Sequence, residues 1–176
     1  MPVALTDPIL AKCTLFRGMT SAESHELRSL LEPKSYATGD TILAEGESFQ
    51  IMWIVLKGRC QVVKTLKSRG EIELGVIEAG SVFGEMSFFH PAPHSATVRA
   101  LTDVEVVRLP REKYEALTRN GSQAAYKLAF NTIAVLIERL RRMDESIAVR
   151  MERNNAAAHK EEWIDFQTKL YTGWTF

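Results

Sequence analysis

Gly80-Ser81-Val82-Phe83-Gly84-Glu85-Met86-Ser87-Phe88-Phe89, followed by Pro93-His94-Ser95-Ala96-Thr97-Val98-Arg99-Ala100, is the stretch on which the fold turns. Its glycines permit a turn into a very short helix, after which a loop returns the chain to a strand. Backbone N–H groups at such a helix start make an anion site, and the helix dipole favours negative charge there. Glu85, in that first turn, is an acceptor suited to a hydroxyl donor such as a sugar. Ser95 supplies a small hydroxyl from the opposite side of the loop.

On either side of this stretch the chain is rich in short β runs: Thr41–Leu43, Ile51–Leu56, Cys60–Leu66, Glu71–Ile77, Ala96–Ala100 and Val104–Leu109. Glycine turns separate them, at Gly39-Asp40, Gly46-Glu47, Lys57-Gly58, Ser68-Arg69-Gly70 and Ala79-Gly80. Short strands at this spacing predict a sandwich or barrel and not a βαβ sheet. Before them the chain reads as helical. Asp7-Pro8 has the form of a cap with proline at the first helical position. Thr20-Ser21-Ala22-Glu23 fits a capping box, Leu27, Leu30 and Leu31 give an apolar stripe, and Pro33 limits the helix.

After Pro110, Arg111–Leu117 reads as a short helix and Asn120-Gly121-Ser122 as a break. Ser122 then caps a long helix running to about Arg153. Ile133, Leu136, Leu140, Met143 and Ile147 form a coiled-coil-like seam, to be packed on the chain's own barrel or on a partner. Glu138 and Arg142 belong to a mixed-charge, solvated face. In the tail, Trp163, Phe166 and Leu170 share a helical face, and Tyr171, Trp174 and Phe176 follow. Disordered tails are poor in aromatics, so this one is expected to dock, on its own dimer or on another protein. The expected fold class is mainly β with flanking helices (α+β). The segments are 1–34 (helical), 35–110 (β-roll), 111–155 (hinge and long helix) and 156–176 (aromatic tail).

The opening stretch resembles the phosphate-binding cassette of the cyclic nucleotide-binding domain, found in the catabolite activator protein family, protein kinase A regulatory subunits and cyclic-nucleotide-gated channels. The resemblance covers roughly residues 8–150. Gly39, Gly46, Gly58, Gly80 and Gly84 fit the family's turn positions, and Leu109-Pro110-Arg111-Glu112-Lys113-Tyr114 resembles its entry into the hinge helix. The resemblance implies a jelly-roll β-barrel with N-terminal helices and a long C-terminal helix. It also implies that the Gly84 and Met86 backbone faces a cyclic phosphate, with Ser87 beside them in the cassette. Glu85 would bind the ribose 2′-hydroxyl and Ser95 would touch phosphate.

One position departs from the family pattern. Where the family places an arginine against the phosphate, this chain has His94. Arginine is always charged and offers a bidentate fork, whereas histidine titrates near pH 6.5. Losing a charge-assisted contact costs roughly 1.5–3 kcal/mol, or about 10- to 150-fold in affinity. If Leu140 matches the family's lid leucine, Asp144 hangs over the base-binding mouth. A carboxylate there could accept from guanine and favour cyclic GMP; the alternative is an exposed helix carboxylate.

Composition narrows the functions further. The 176 residues carry 22 basic and 22 acidic side chains, without the basic excess that drives nucleic-acid binding. Cys13 and Cys60 have no metal or redox spacing and are expected to be free thiols. The N-terminus does not read as a signal peptide, and no run of about 18 apolar residues predicts a membrane span. His90 and His94 flank two prolines and lack a third ligand, so no metal is expected. Ser87 shows no His/Asp partner pattern, so no catalytic residue is assigned. Trp53, inside an apolar run, is expected in the core.

A winged helix-turn-helix needs roughly 60–70 residues after the long helix, as the resemblance implies, and only 23 follow Arg153. The expectation is a stand-alone, cytoplasmic, non-enzymatic sensor module, without DNA or membrane partners. It would be a homodimer, its ligand cyclic AMP or cyclic GMP, with no cofactor. A second reading is a domain of this fold that no longer binds nucleotide and serves as a protein-interaction scaffold through its tail.

Overall fold

The computed structural model describes residues 8–153. Asp7 and the whole aromatic tail from Trp163 to Phe176 lie outside the described residues, and with them the expectations placed there. Residues up to Thr132 form one compact unit and those from Ile133 onward a second.

In the first unit, short helices α1 (Pro8–Lys12) and α2 (Ser21–Ser29), with a 3-10 turn at Thr14–Phe16 between them, precede the strands. Strands β1 (Glu32–Tyr36), β2 (Thr41–Leu43), β3 (Ile51–Lys57), β4 (Arg59–Leu66), β5 (Gly70–Glu78), β6 (Val82–Phe83), β7 (Thr97–Ala100) and β8 (Val104–Pro110) follow. Helix α3 (Glu85–Phe89) interrupts them between β6 and β7. All pairings are antiparallel, in two sheets of order β1-β8-β3-β6 and β2-β7-β4-β5. This is the jelly-roll architecture, with helices α4 (Arg111–Arg119) and α5 (Gln123–Arg153) after it.

The apolar run of β3 is buried from Met52 to Leu56 because the strand has a neighbour on each face. Trp53 and Val55 enter the barrel core with Phe83, Val98, Val104 and Val106. Met52 and Ile54 join Leu15, Leu27, Leu109 and Leu128 around a small apolar void under the helices. β5, at a sheet edge, buries far less and leaves Leu74 and Val76 exposed.

Two strands escaped the sequence pattern. β1 lies where the chain reads as the end of a helix, and Pro33 sits within it opposite Val107. Proline is tolerated because β1 is an edge strand with only β8 beside it. β6 is two residues long, too short to show a period. Glu32 of β1 accepts from Arg108 at 2.8 Å and pairs with Lys113 of α4 at 2.8 Å. Those two cations, Lys113 foremost, hold its carboxyl below the usual range.

The helix ends follow their capping signals. Glu23 N–H donates to Thr20 Oγ1 at 3.3 Å while Thr20 N–H donates to Glu23 Oε2 at 2.6 Å. Ser122 Oγ accepts from Ala124 N–H at 3.2 Å at the start of α5. The first turns of α5 are fixed to the N-terminal segment. Lys127 pairs with Glu23 at 2.6 Å, and Asn131 Nδ2 donates to the carbonyls of Leu15 and Arg17, each at 2.9 Å. No helix among the described residues is long and apolar enough to cross a membrane.

Along α5, the exposed large apolar residues begin two turns earlier than the predicted seam. Tyr126, Phe130, Ile133, Ile137 and Leu140 are exposed at spacings of four, three, four and three. Of the predicted set, Ile133, Leu140 and Met143 are exposed, whereas Leu136 and Ile147 are half-buried. The two sets share Ile133 and Leu140; the exposed stripe extends toward the N-terminus through Tyr126 and Phe130 and has Ile137 where the predicted seam has Leu136.

Candidate functional site

Gly84 sets the geometry of the site. It ends β6 with φ +78°, in the left-handed region, and is the N-cap of α3. A Cβ at this position would come 2.5 Å from Trp53 Cζ3 and 2.6 Å from the Ile51 carbonyl oxygen. Only glycine satisfies both the dihedral and the space. It has no side chain with which to cap α3, and no side-chain cap is present.

Helix α3 turns its residues in opposite directions. Met86 is 60% exposed, whereas Glu85 and Ser87 are 1% and 4% exposed. At the C-terminal end, the Phe88 carbonyl accepts from Gln50 Nε2 at 3.3 Å and Arg111 Nη1 at 3.1 Å. The Arg111 guanidinium lies over the rings of Phe88, Phe89 and Tyr114 at 5.6, 5.7 and 5.2 Å, and binds Glu115 at 3.0 Å. Cation–π contacts and charge-assisted bonds thus join α3 to α4 through one side chain.

The loop from Pro91 to Ser95 closes the other side. His94 N–H donates to the Glu47 carbonyl at 2.8 Å and the His94 carbonyl accepts from Gly46 N–H at 2.9 Å. Ser95 is exposed, and its carbonyl accepts from Lys64 Nζ at 2.6 Å. Lys64 also pairs with Glu45 at 2.5 Å, which holds the Glu45 carboxyl below its ordinary range.

His94 does not face outward as an anion contact. It is 5% exposed and turned into the domain, with Nδ1 2.7 Å from Ser87 Oγ. The Phe49 ring meets it edge-on at 4.4 Å, with the Trp53 ring at 6.5 Å. Its Nε2 is buried without a hydrogen-bond partner. Burial pushes the imidazole below its ordinary pKa, the nearby Glu47 charge opposing that only in part.

The structure therefore gathers Gly84, Glu85, Met86, Ser87, His94 and Ser95 around one short helix and one loop. Asp144 lies half-buried on α5 in the second unit. Ser87 does have a histidine partner, contrary to the expectation from sequence, because the loop folds His94 back over α3. Both members are buried, so the pair offers no solvent-facing nucleophile. The sequence does not single out Phe49, Gln50 and Lys64, since nothing local marks a residue about 40 positions away as a neighbour. Arg111 was visible only as part of the hinge entry.

With this geometry in place, the wider similarities bear on it directly. The sequence model of the cyclic nucleotide-binding domain matches residues 33–120, half of the chain. The chain belongs to the cyclic nucleotide-binding domain family. It is 27% identical to the CRP-like cAMP-activated global transcriptional regulator of Mycobacterium tuberculosis, over 81% of this chain and 62% of that one. It is 32% identical to the cyclic AMP receptor protein of Thermus thermophilus, over 74% and 58%. A cAMP-dependent protein kinase regulatory subunit of Mycosarcoma maydis is also 32% identical, over 66% of this chain and 22% of that protein. The chain spans about six tenths of the length of the two bacterial regulators. Among solved structures, a cyclic nucleotide-binding domain from Methylobacillus flagellatus shares the fold with a TM-score of 0.75, at 23% identity over 83% and 82% of the two chains. The Thermus thermophilus catabolite activator protein gives 0.68 at 30% identity, over 77% and 62%.

Proposed function

We propose that this chain is a non-enzymatic regulatory module whose cassette binds a 3′,5′-cyclic nucleotide. The observation that carries this is Gly84 at positive φ leading into an uncapped α3, inside the residues matched by the family. The first-turn N–H groups of α3 and the Ser95 hydroxyl would hold the cyclic phosphate, and Glu85 the ribose 2′-hydroxyl. Relatives are named for cyclic AMP and, in one Dictyostelium discoideum phosphodiesterase, for cyclic GMP. Cyclic AMP is the first ligand to test and cyclic GMP the second.

Ligand state would pass through Arg111 to α4 and onward along α5, because nucleotide binds one arrangement better and shifts the population toward it. The exposed stripe Tyr126, Phe130, Ile133, Ile137 and Leu140 supports a homodimer through α5. The aromatic tail is proposed to dock within that dimer or on a protein partner.

The inward position of His94 favours a second reading, in which the domain no longer binds nucleotide and serves as an interaction scaffold. Calorimetric titration with cyclic AMP and cyclic GMP separates the two. A saturable heat and a thermal shift are expected; neither appearing up to millimolar nucleotide would overturn the sensor reading. Light scattering is expected to give about twice the 19.8 kDa chain mass.

A further inference from the structure

We infer that His94 is a proton-operated gate on the cassette: neutral, it packs inward on Ser87 and withholds its charge from the anion site; protonated, it leaves that pocket and presents its charge to the nucleotide phosphate. The inference rests on the cassette being a nucleotide site and concerns how that site is opened.

The geometry carries it. In the neutral imidazole one ring nitrogen carries a proton and the other a lone pair. Whichever tautomer is present, Ser87 Oγ at 2.7 Å satisfies Nδ1, and the burial of one neutral nitrogen, Nε2, is the only cost. In the imidazolium both nitrogens are donors. Nε2–H would then be a charged donor, buried and without an acceptor, between the Phe49 and Trp53 rings. Trp53 cannot help, because its indole N–H is itself a buried donor without a partner. The cation is therefore expelled from the position that the neutral ring occupies.

The groups facing His94 do not reverse this. From the loop before β3, Glu47 attracts the imidazolium, but more weakly than burial opposes it. From α3, Ser87 is the hydrogen-bond partner, Glu85 is buried on the same helix and His90 is exposed at its C-cap. From β4, Lys64 is a like charge, engaged by Glu45 and the Ser95 carbonyl. β3 contributes Trp53, without charge. The His94 backbone is bonded in both directions to Gly46 and Glu47, so the gate moves by side-chain rotation while its hinge stays fixed. An arginine at this position would have no neutral form to store, and its charge would be offered to phosphate at every physiological pH.

The test is calorimetric titration of the full chain with cyclic AMP at about pH 5.5 and about pH 7.5, which bracket the ordinary histidine range. The phosphodiester keeps one negative charge throughout, so the ligand does not titrate. Wild type is expected to bind roughly tenfold or more tightly at the lower pH, the low end of what one charge-assisted contact supplies. His94→Arg is expected to bind equally at both pH values, and more tightly than wild type at the higher one. Should His94→Arg not fold, His94→Gln is expected to bind weakly and without pH dependence. Wild-type affinity independent of pH, with His94→Arg or His94→Gln still binding, would overturn the gate and leave the nucleotide site standing. No binding by any of the proteins at either pH would overturn both. In parallel, nitrogen NMR of the His94 ring is expected to show a depressed titration that moves up toward its ordinary value in Ser87→Ala. An ordinary titration in wild type would overturn the inward lock.

Discussion

Helices α2 and α3 begin in opposite ways. At α2, Thr20 and Glu23 fill each other's backbone donors, and Glu23 goes on to bind Lys127, so this helix start is spent on holding the fold. At α3, the cap position is Gly84, which has no side chain, and the helix is only five residues long. Its residues are held instead by what surrounds them: Trp53 against Gly84, and Gln50 and Arg111 on the Phe88 carbonyl. A helix start that satisfies itself is structural. One that begins on glycine has no side-chain oxygen of its own to cap it and is braced from outside.

This contrast can be broken at either end. The largest effect is expected from Gly84→Ala, which combines a left-handed φ with a Cβ driven into Trp53 and the Ile51 carbonyl. Together these cost about 2–4 kcal/mol, lowering the melting temperature by roughly 5–15 °C, with nucleotide binding lost as well. A variant as stable as wild type in thermal unfolding would show that the cradle is looser than the geometry says. Thr20→Ala removes one arm of the α2 cap and is expected to cost about 1 kcal/mol while leaving nucleotide affinity unchanged. A parallel loss of affinity would show that the α2 start also serves the site.

The smallest effect concerns acid. The Glu23 carboxyl sits below its ordinary value of 4.5, chiefly through Lys127 and then the Thr20 backbone N–H. Its folded-state pKa being lowered, its stabilisation is present above that ordinary value and is lost as pH falls through the folded one. Glu23→Gln should therefore lower stability at neutral pH and flatten the acid limb of a melting-temperature profile. His94 behaves with the same sign in a different window. Its folded pKa is depressed below 6.5, so the closed form loses stability as pH falls from that value toward the folded one.

Much of the fold was legible because the deciding signals are local. Turn glycines separate runs of β-branched residues, and the capping box at Thr20 and the cap at Ser122 stand where their sequences place them. Pro33 misled because its chemistry excludes both a helix interior and a central strand, and only the sheet order shows that β1 is an edge. The cassette was legible for the same local reason as the turns. The direction of His94 was not, for it is set by Phe49 and Trp53, side chains about 40 residues earlier that only the folded sheet brings alongside. Sequence identified the departure from arginine; the packing shows what histidine does with it.

The two cysteines add a kinetic handle. Cys60 is wholly buried in the barrel core, and burial pushes its thiol up to about 11; Cys13 lies buried between α1 and the 3-10 turn, its thiol likewise raised. Both thiols are buried, so alkylation must wait for local opening. The chain thus carries two internal clocks, one for breathing of the jelly roll and one for the helical layer. A nucleotide that tightens the barrel alone would slow the first and leave the second running.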